Sequence, residues 1–396
     1  MLRLRAYPVA TVVIAQLFGT SLWFSPNSAA NSLMAQWGLS STQIGQLTSS
    51  TQVGFIIGTL LLASTGLADR YAASRICALS CLIGALVNAA FAFGATNFSQ
   101  GLFLRFFVGL SLAGIYPLGM KLIISWSRGH TGTTLGWLVA MLTLGSALPH
   151  GVRAAGVDWS WHTVVATSSL LAISASLMIA ALGDGPNLPS NRSQRVRWGA
   201  AFRVFLDARF RSSASGYFGH MWELYAFWTL LPFLLNDVVH AMLNAPDWQL
   251  SSWLSFAIMG VAGATGALIA GHLSGRYGSP KVAAVALSLS GLMCFLYPLI
   301  PDDAWLLKLL VLVCWGVTVV SDSAQFSATS AKVCPQDLVG AALAIQNSIG
   351  FAISVCSILL VMSLYQTVGA TVTWLLVPGP LLGLVFFRRL LRAHQG

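Results

Sequence analysis

The sequence predicts an all-α polytopic membrane protein of twelve transmembrane helices in two pseudo-symmetric six-helix bundles. Three observations carry that expectation. Of the 396 residues, 56% are hydrophobic and only 8% are charged, whereas a soluble chain carries about 25% charged residues. Apolar runs of about 20 residues recur along nearly the whole chain, each long enough to cross about 30 Å of hydrocarbon as a helix. The segment Leu67-Ala68-Asp69-Arg70-Tyr71 returns in altered form as Leu273-Ser274-Gly275-Arg276-Tyr277, so the same short charged loop separates two apolar spans in each half.

In lipid the backbone must satisfy its own hydrogen bonds, which leaves helices or a closed barrel. Barrel strands alternate polar and apolar residues over about ten positions. The spans here are continuous apolar runs, so helices are expected. The first covers roughly 7–33, followed by spans at roughly 42–66, 74–95, 99–126, 133–156 and 161–183. A polar, basic linker fills 184–209. The second half places spans at roughly 210–236, 249–272, 280–300, 305–331, 338–366 and 370–387. The domains are therefore an N-terminal bundle over 1–183, the linker 184–209, and a C-terminal bundle over 210–396. Arg3 and Arg5 precede the first apolar run, but the run leads into Trp23-Phe24-Ser25-Pro26 without a small-residue cleavage site, so it reads as a membrane helix and not a leader.

The net charge of +10 is distributed along the chain in a way that sets its orientation. Arg70, Arg75, Arg128, the linker arginines from Arg192 to Arg211, Arg276, Lys281, Lys332 and Arg388 to Arg392 all fall on the side of the N-terminus. The opposite loops hold Asp158, Asp237, Asp247, Asp302 and Asp303, with Arg153 and Lys308 at their edges. An excess of Lys and Arg in cytoplasmic loops fixes both termini inside. The positive charge thus reads as an orientation signal and not as a nucleic-acid footprint. The linker is expected to be a solvated connector, with a lipid-headgroup role as the alternative. The six cysteines show no metal-ligand spacing and read as small buried hydrophobes. No phosphate loop, zinc signature or hydrolase triad spacing is present, so no cofactor and no enzymatic activity are expected.

Six plus six helices, a central linker and the repeated loop together resemble the major facilitator superfamily of secondary transporters. That family's loop between helices 2 and 3 reads roughly G-x-L-A-D-R-x-G-R-K. Here Leu67-Ala68-Asp69-Arg70 is intact, while Thr65 and Ala72 stand where glycines would be. Gly271-His272-Leu273-Ser274-Gly275-Arg276-Tyr277-Gly278 keeps both glycines and loses the acid. Arg105-x-x-x-Gly109 is similar to the family's motif in helix 4. Gly145-Ser146-Ala147-Leu148-Pro149-His150-Gly151 partly resembles its antiporter motif in helix 5, with Leu148 in place of a glycine. Trp222-Glu223-Leu224-Tyr225 and Tyr116-Pro117-Leu118-Gly119-Met120-Lys121 resemble nitrate/nitrite-like and cyanate-permease-like bacterial members. The arginines that nitrate porters carry in helices 2 and 8 are missing, and helix 2 offers Gln52 instead. The resemblance implies alternating access, a cavity where the halves meet, and gating through Asp69, Arg70, Arg105 and Arg276.

Ionisable residues inside spans cost about 2.5–3.5 kcal/mol on insertion scales and mark functional candidates. Glu223 lies deep in span 7 with His220 three residues before it, on the same face. The two form a candidate proton-holding pair, or a structural hydrogen bond. Asp322, in the polar run Ser321-Asp322-Ser323-Ala324-Gln325, is the third proton-coupling candidate, with Gln346 and Asn347 of span 11 as expected neighbours. Arg105 needs acceptors for its five N–H groups, and backbone carbonyls or Asn88 suit it. Lys121 either reaches the cytoplasmic headgroups or serves as a counter-charge for an anionic substrate. Tyr116, Trp23, Asn27, Gln52, His150, Trp222, Tyr225, Gln325, Gln346 and Asn347 complete the candidate substrate-binding set. The glycines of span 8 recur at a spacing that suits close helix packing.

Taken together, the residues point to a monomeric secondary transporter of the bacterial inner membrane. It would move a small polar or anionic solute and couple that movement to protons. The alternatives are proton-driven efflux of lipophilic compounds and a non-transporting membrane sensor.

Overall fold

The computed structural model describes residues 5–127, 131–156, 159–187, 198–336 and 338–392. Every regular element among them is helical. Nine helical stretches among these residues are long and apolar enough to cross a membrane, and Pro8–Thr20 is a shorter apolar helix. The chain is a multi-pass membrane protein. The described residues gather into two compact units, 1–196 and 197–396.

Helix starts follow local chemistry. Ser40 and Gln43 form a reciprocal capping box at the head of Ser41–Thr65, with Gln43 N donating to Ser40 Oγ and Ser40 N donating to Gln43 Oε1. Asn97, Ser160, Asp207 and Asp247 cap the helices that follow them, each satisfying an N–H that the first turn leaves open. Gly66 ends Ser41–Thr65 at φ 64°, a left-handed conformation that favours glycine.

Several expected spans are broken, and the breaks matter for the site. Span 1 is Pro8–Thr20, a turn over 21–24, then Ser25–Ser28 and Ala30–Trp37. Span 4 divides into Phe98–Leu112 and Tyr116–Trp126, with Pro117 in the first turn of the second piece. Span 8 passes through a π-helical stretch, Phe256–Ala262. Span 10 divides at Asp322 into Trp305–Ser321 and Ser323–Val333. Span 12 starts with the 3-10 segment Gly369–Leu376 before Pro378–Arg392. Span 7 is longer than expected, running unbroken over Ala208–Leu243 despite Pro232, and span 8 extends to Tyr277.

The two units repeat one packing arrangement. In the first, Ser41–Thr65 packs on Phe98–Leu112, and Pro8–Thr20 packs on Thr131–Ala155 and Trp161–Leu182. In the second, Gly263–Tyr277 packs on Trp305–Ser321, and Ala208–Leu243 packs on Val339–Val368 and Pro378–Arg392. The contact between second and fourth spans is backbone-close in both. A Cβ on Gly109 would run into the Thr51 carbonyl, and one on Gly266 into the Val317 carbonyl. Small residues allow this approach where lipid offers no hydrophobic drive. Gly271 meets nothing within 4 Å, so it is not part of that packing. Cys77, Cys81, Cys294 and Cys334 are buried as expected, whereas Cys314 and Cys356 are exposed on the sides of their helices.

The linker is less free at its start than its composition implies. Asp184 accepts from Ala73 N and Ser74 N at the head of Ala73–Gly94. Gly185 N donates to Ser125 Oγ, and Trp126 Nε1 donates to Gly183 O. Further along, Trp198–Val204 is helical, and Val204 packs with Phe210, Ala214, Cys334 and Ala342.

Candidate functional site

The second unit encloses an acidic centre built from spans 7, 9 and 10. Glu223 is fully buried at the middle of Ala208–Leu243. A buried carboxylate in an apolar span needs donors, because burial without them costs several kcal/mol. Three are present: Trp315 Nε1 donates to Oε1 at 2.6 Å, Cys294 Sγ to Oε1 at 3.3 Å, and Ser290 Oγ to Oε2 at 2.9 Å. Trp315 is fixed in turn by a stacked contact with Phe227, ring centroids 4.2 Å apart. Cys294 is therefore a donor to this centre and more than a filler of apolar space.

One turn earlier on the same helix, His220 turns away from Glu223. Its Nδ1 lies 2.8 Å from Asp322 Oδ1, and both side chains are excluded from solvent. The expected Glu223–His220 pair is thus replaced by a His220–Asp322 pair and a separately held Glu223. Residues three apart share a helix face, but the partners that face each of them lie on different neighbouring spans. Asp322 sits at the joint of span 10, where its backbone carbonyl accepts from Phe326 N. Tyr217 and Phe326 flank the His220 ring at centroid distances of 6.1 and 6.3 Å.

Gln346 and Asn347 do not bond Asp322, contrary to the expectation from sequence, because the imidazole occupies that role. The Gln346 amide is fully buried, and its Oε1 and Nε2 have no partner among the described residues. Gln325 is buried beside the joint, and Asn347 is half-buried. Trp222 is half-buried and donates from Nε1 to Leu375 O at 2.8 Å, which ties it to the 3-10 segment before the last helix. Tyr225 is buried with its ring 5.0 Å from that of Phe351.

The first unit has a cationic counterpart centred on Arg105. Its acceptors are the backbone carbonyls and Asn88 that the sequence offers. Nε donates to Thr51 Oγ1 at 3.1 Å, Nη1 to Asn88 Oδ1 at 3.0 Å, and Nη2 to Leu22 O at 3.0 Å and Trp23 O at 2.6 Å. The two carbonyls belong to the break in span 1, so the guanidinium stabilises that break. Asn88 extends the network to Val165 O and Ser169. Next to it, Trp23 Nε1 donates to Gln52 Oε1 at 3.2 Å and Asn27 Nδ2 to Thr48 Oγ1 at 2.9 Å. Gln52 Nε2 and His150 Nε2 are buried without a partner among the described residues.

Tyr116 and Lys121 lie half-buried on the second piece of the broken span 4. Arg70 and Arg276 are exposed, and Arg276 lies over the Tyr277 ring at 5.4 Å. The side chain of Asp69 lies outside the described residues, as do Asp158 and linker positions 188–197. Sequence reasoning missed Trp315, Ser290, Cys294 and Asp184. It also missed Lys308, which is buried, paired with Asp302 and 5.5 Å from the Tyr297 ring centroid.

Comparison with known proteins gives the family and the fold. The family model described as Major Facilitator Superfamily matches residues 12–359. A curated relative, the niacin transporter NiaP of Acinetobacter baylyi, is 31% identical over 157 residues, which is 37% of this chain. The match spans about a third (33%) of that relative's length. Among solved structures, the nucleoside transporter NupG superposes with a TM-score of 0.71 at 15% identity, covering 97% of this chain and 99% of that one. The xylose transporter XylE from E. coli, in a partially occluded inward-open conformation, gives a TM-score of 0.72 at 12% identity and 96% coverage of both chains.

Proposed function

The chain belongs to the major facilitator superfamily, and on that premise we propose that it is a proton-coupled secondary transporter of a small polar or anionic solute. In this reading twelve spans form two six-helix bundles in a bacterial inner membrane, with both termini cytoplasmic, and a single chain works by alternating access. The observation that carries the coupling is the buried His220–Asp322 pair at the joint of span 10.

The chemistry is direct. Imidazolium and carboxylate together form a neutral pair that holds the joint to the unbroken span 7. A proton delivered to Asp322 removes the attraction and leaves a cationic imidazolium, so the joint is released. Glu223 keeps its own donors, so it holds or releases a second charge without losing its position. A charge-neutral state is then the one in which span 10 is fixed, and proton movement is tied to the rearrangement of a hinge. Asp69, Arg70 and Arg276 are proposed to act at the cytoplasmic loops as gating residues.

The first unit is proposed to supply donors to the substrate. Gln52 and His150 each hold a buried polar atom without a partner among the described residues, and Lys121 adds positive charge on a broken span. Donors and cations suit an acceptor-rich or anionic solute. The curated relative is named for niacin, a small aromatic carboxylate, which supports the same class.

Uptake into proteoliposomes with an imposed pH gradient tests the reading. Candidate carboxylates should accumulate in wild-type vesicles when the gradient is imposed and not when it is collapsed by an ionophore. Unchanged gradient-driven accumulation by Glu223→Gln would remove Glu223 from the coupling path. Export of lipophilic cations instead of carboxylate uptake would replace the reading with drug efflux, for which the buried acids and the aromatic surroundings of Glu223 are the favouring feature.

A further inference from the structure

The first unit carries a second, separate hollow near its Trp159 end, about 480 Å³ in volume, within the size range of small-molecule sites. It lies where span 1, span 5 and the start of span 6 converge, and nothing in the transport chemistry above uses it.

The hollow combines one cation with several flat rings. Arg153, half-buried at the last turn of Thr131–Ala155, donates from Nη1 to Trp159 O and from Nη2 weakly to Ser32 Oγ at 3.5 Å. These bonds fix the guanidinium but engage only part of its five-donor fork. The rings are held as firmly. Trp161 Nε1 donates to Gln36 Oε1 at 2.5 Å, and the Trp161 and His162 rings stack with centroids 3.9 Å apart. Trp159 is 46% exposed, yet its indole is seated against Gly156, where any Cβ would collide with the ring. The result is an open hollow with a guanidinium on one side and the Trp159 and His162 rings on the other, Trp161 itself being buried.

That pairing selects a ligand. A guanidinium fork binds a carboxylate through two parallel N–H···O bonds. Indole and imidazole faces prefer a flat ring to a saturated one, because stacked rings gain beyond area burial. We propose that this hollow is a docking site for a small planar aromatic carboxylate. Its placement at the outer rim, where it would collect substrate, rests on the transport reading and its charge-derived orientation; the binding itself does not.

The test is calorimetric titration of purified full-length protein with benzoate, benzamide and cyclohexanecarboxylate. Benzoate should bind, and benzamide and cyclohexanecarboxylate should each bind at least roughly tenfold more weakly, a difference of about 1.4 kcal/mol. Arg153→Gln should lower benzoate affinity at least about tenfold, with Arg153→Lys in between. Trp159→Leu should abolish the preference for benzoate over cyclohexanecarboxylate. Gly271→Ala, in the other unit and with open space around it, should bind benzoate as wild type does. No benzoate binding to wild type overturns the proposal, as does equal binding of benzamide. Benzoate binding that survives Arg153→Gln unchanged also overturns it, and leaves the transport reading standing. If Arg153→Gln does not fold, Arg153→Lys and Trp159→Leu decide the matter.

Discussion

His220 Nδ1 and Asp322 Oδ1 meet at 2.8 Å across the packed faces of spans 7 and 10, with neither side chain reaching solvent. One residue sits on an unbroken helix, Ala208–Leu243, and the other at the joint between two shorter ones. A rigid rod is thus tied to a hinge by a bond whose strength depends on protons. Breaking a buried pair by removing one partner typically costs 3–5 kcal/mol, enough to shift a two-state equilibrium strongly.

Asp322→Asn keeps the shape of the side chain and removes its charge. The expected outcome is loss of pH-gradient-driven accumulation, with substrate exchange between the two faces retained at reduced or normal rate. Exchange and accumulation assays on the same vesicles separate the two. Accumulation that follows the gradient as in wild type would remove the pair from the coupling path.

Glu223 makes a different prediction, because its partners are all donors. Glu223→Gln can keep its Oε1 on the Trp315 indole and turn its amide N–H to the Ser290 hydroxyl, which accepts and can donate to Leu287 O instead. Neutral hydrogen bonds then replace charge-assisted ones, which are roughly twice as strong, and this should lower the melting temperature in detergent. Trp315→Phe alone should lower it as well. Combined with Glu223→Gln it should be less than additive, by roughly 0.5–3 kcal/mol for groups in one network. Strict additivity in melts of the four proteins would show that the indole and the carboxylate do not act on each other.

The membrane class, the repeated loop and the candidate acids were legible in the chain, because a charge in an apolar run stands out against its surroundings. The partners of those charges were not. Ser290, Cys294 and Trp315 are ordinary residues of apolar spans, and only packing of spans 7, 9 and 10 turns their donors toward Glu223. The helix-face argument joined His220 to Glu223 correctly as neighbours on one face, but could not see that different helices face each of them. The break at Asp322 was also hidden, whereas Pro26, Pro117 and Pro378 stand in the first turns that follow the breaks of spans 1, 4 and 12. Asp184 read as part of a solvated linker, although it caps the helix that follows the repeated loop, because capping across more than a hundred positions leaves no local pattern.

The backbone crossings give a stability prediction with a built-in control. Gly109→Ala and Gly266→Ala each force a methyl group against a carbonyl of the facing span. Overpacking of this kind costs about 1–3 kcal/mol, and more where backbone must move. Both variants should melt well below wild type. Gly271→Ala, with open space around it, should match wild type or exceed it slightly. Equal melting of all three would mean that the spans do not approach as closely as Gly109 and Gly266 require.

Arg105 should be the least replaceable residue of the first unit. Its guanidinium reaches Thr51, Asn88, Leu22 O and Trp23 O at once, four acceptors that no other side chain spans. Arg105→Ala leaves buried acceptors exposed to hydrocarbon at about 1–3 kcal/mol each, so little monodisperse protein should survive extraction and size-exclusion chromatography. Arg105→Lys keeps the charge but offers a single point of donation, and should be recovered at an intermediate level with a lowered melting temperature. The span 1 break depends on the two carbonyls that Arg105 holds. Protease cleavage within 21–24 should therefore be faster in Arg105→Lys than in wild type, and an unchanged cleavage rate would show that the break is held by other contacts.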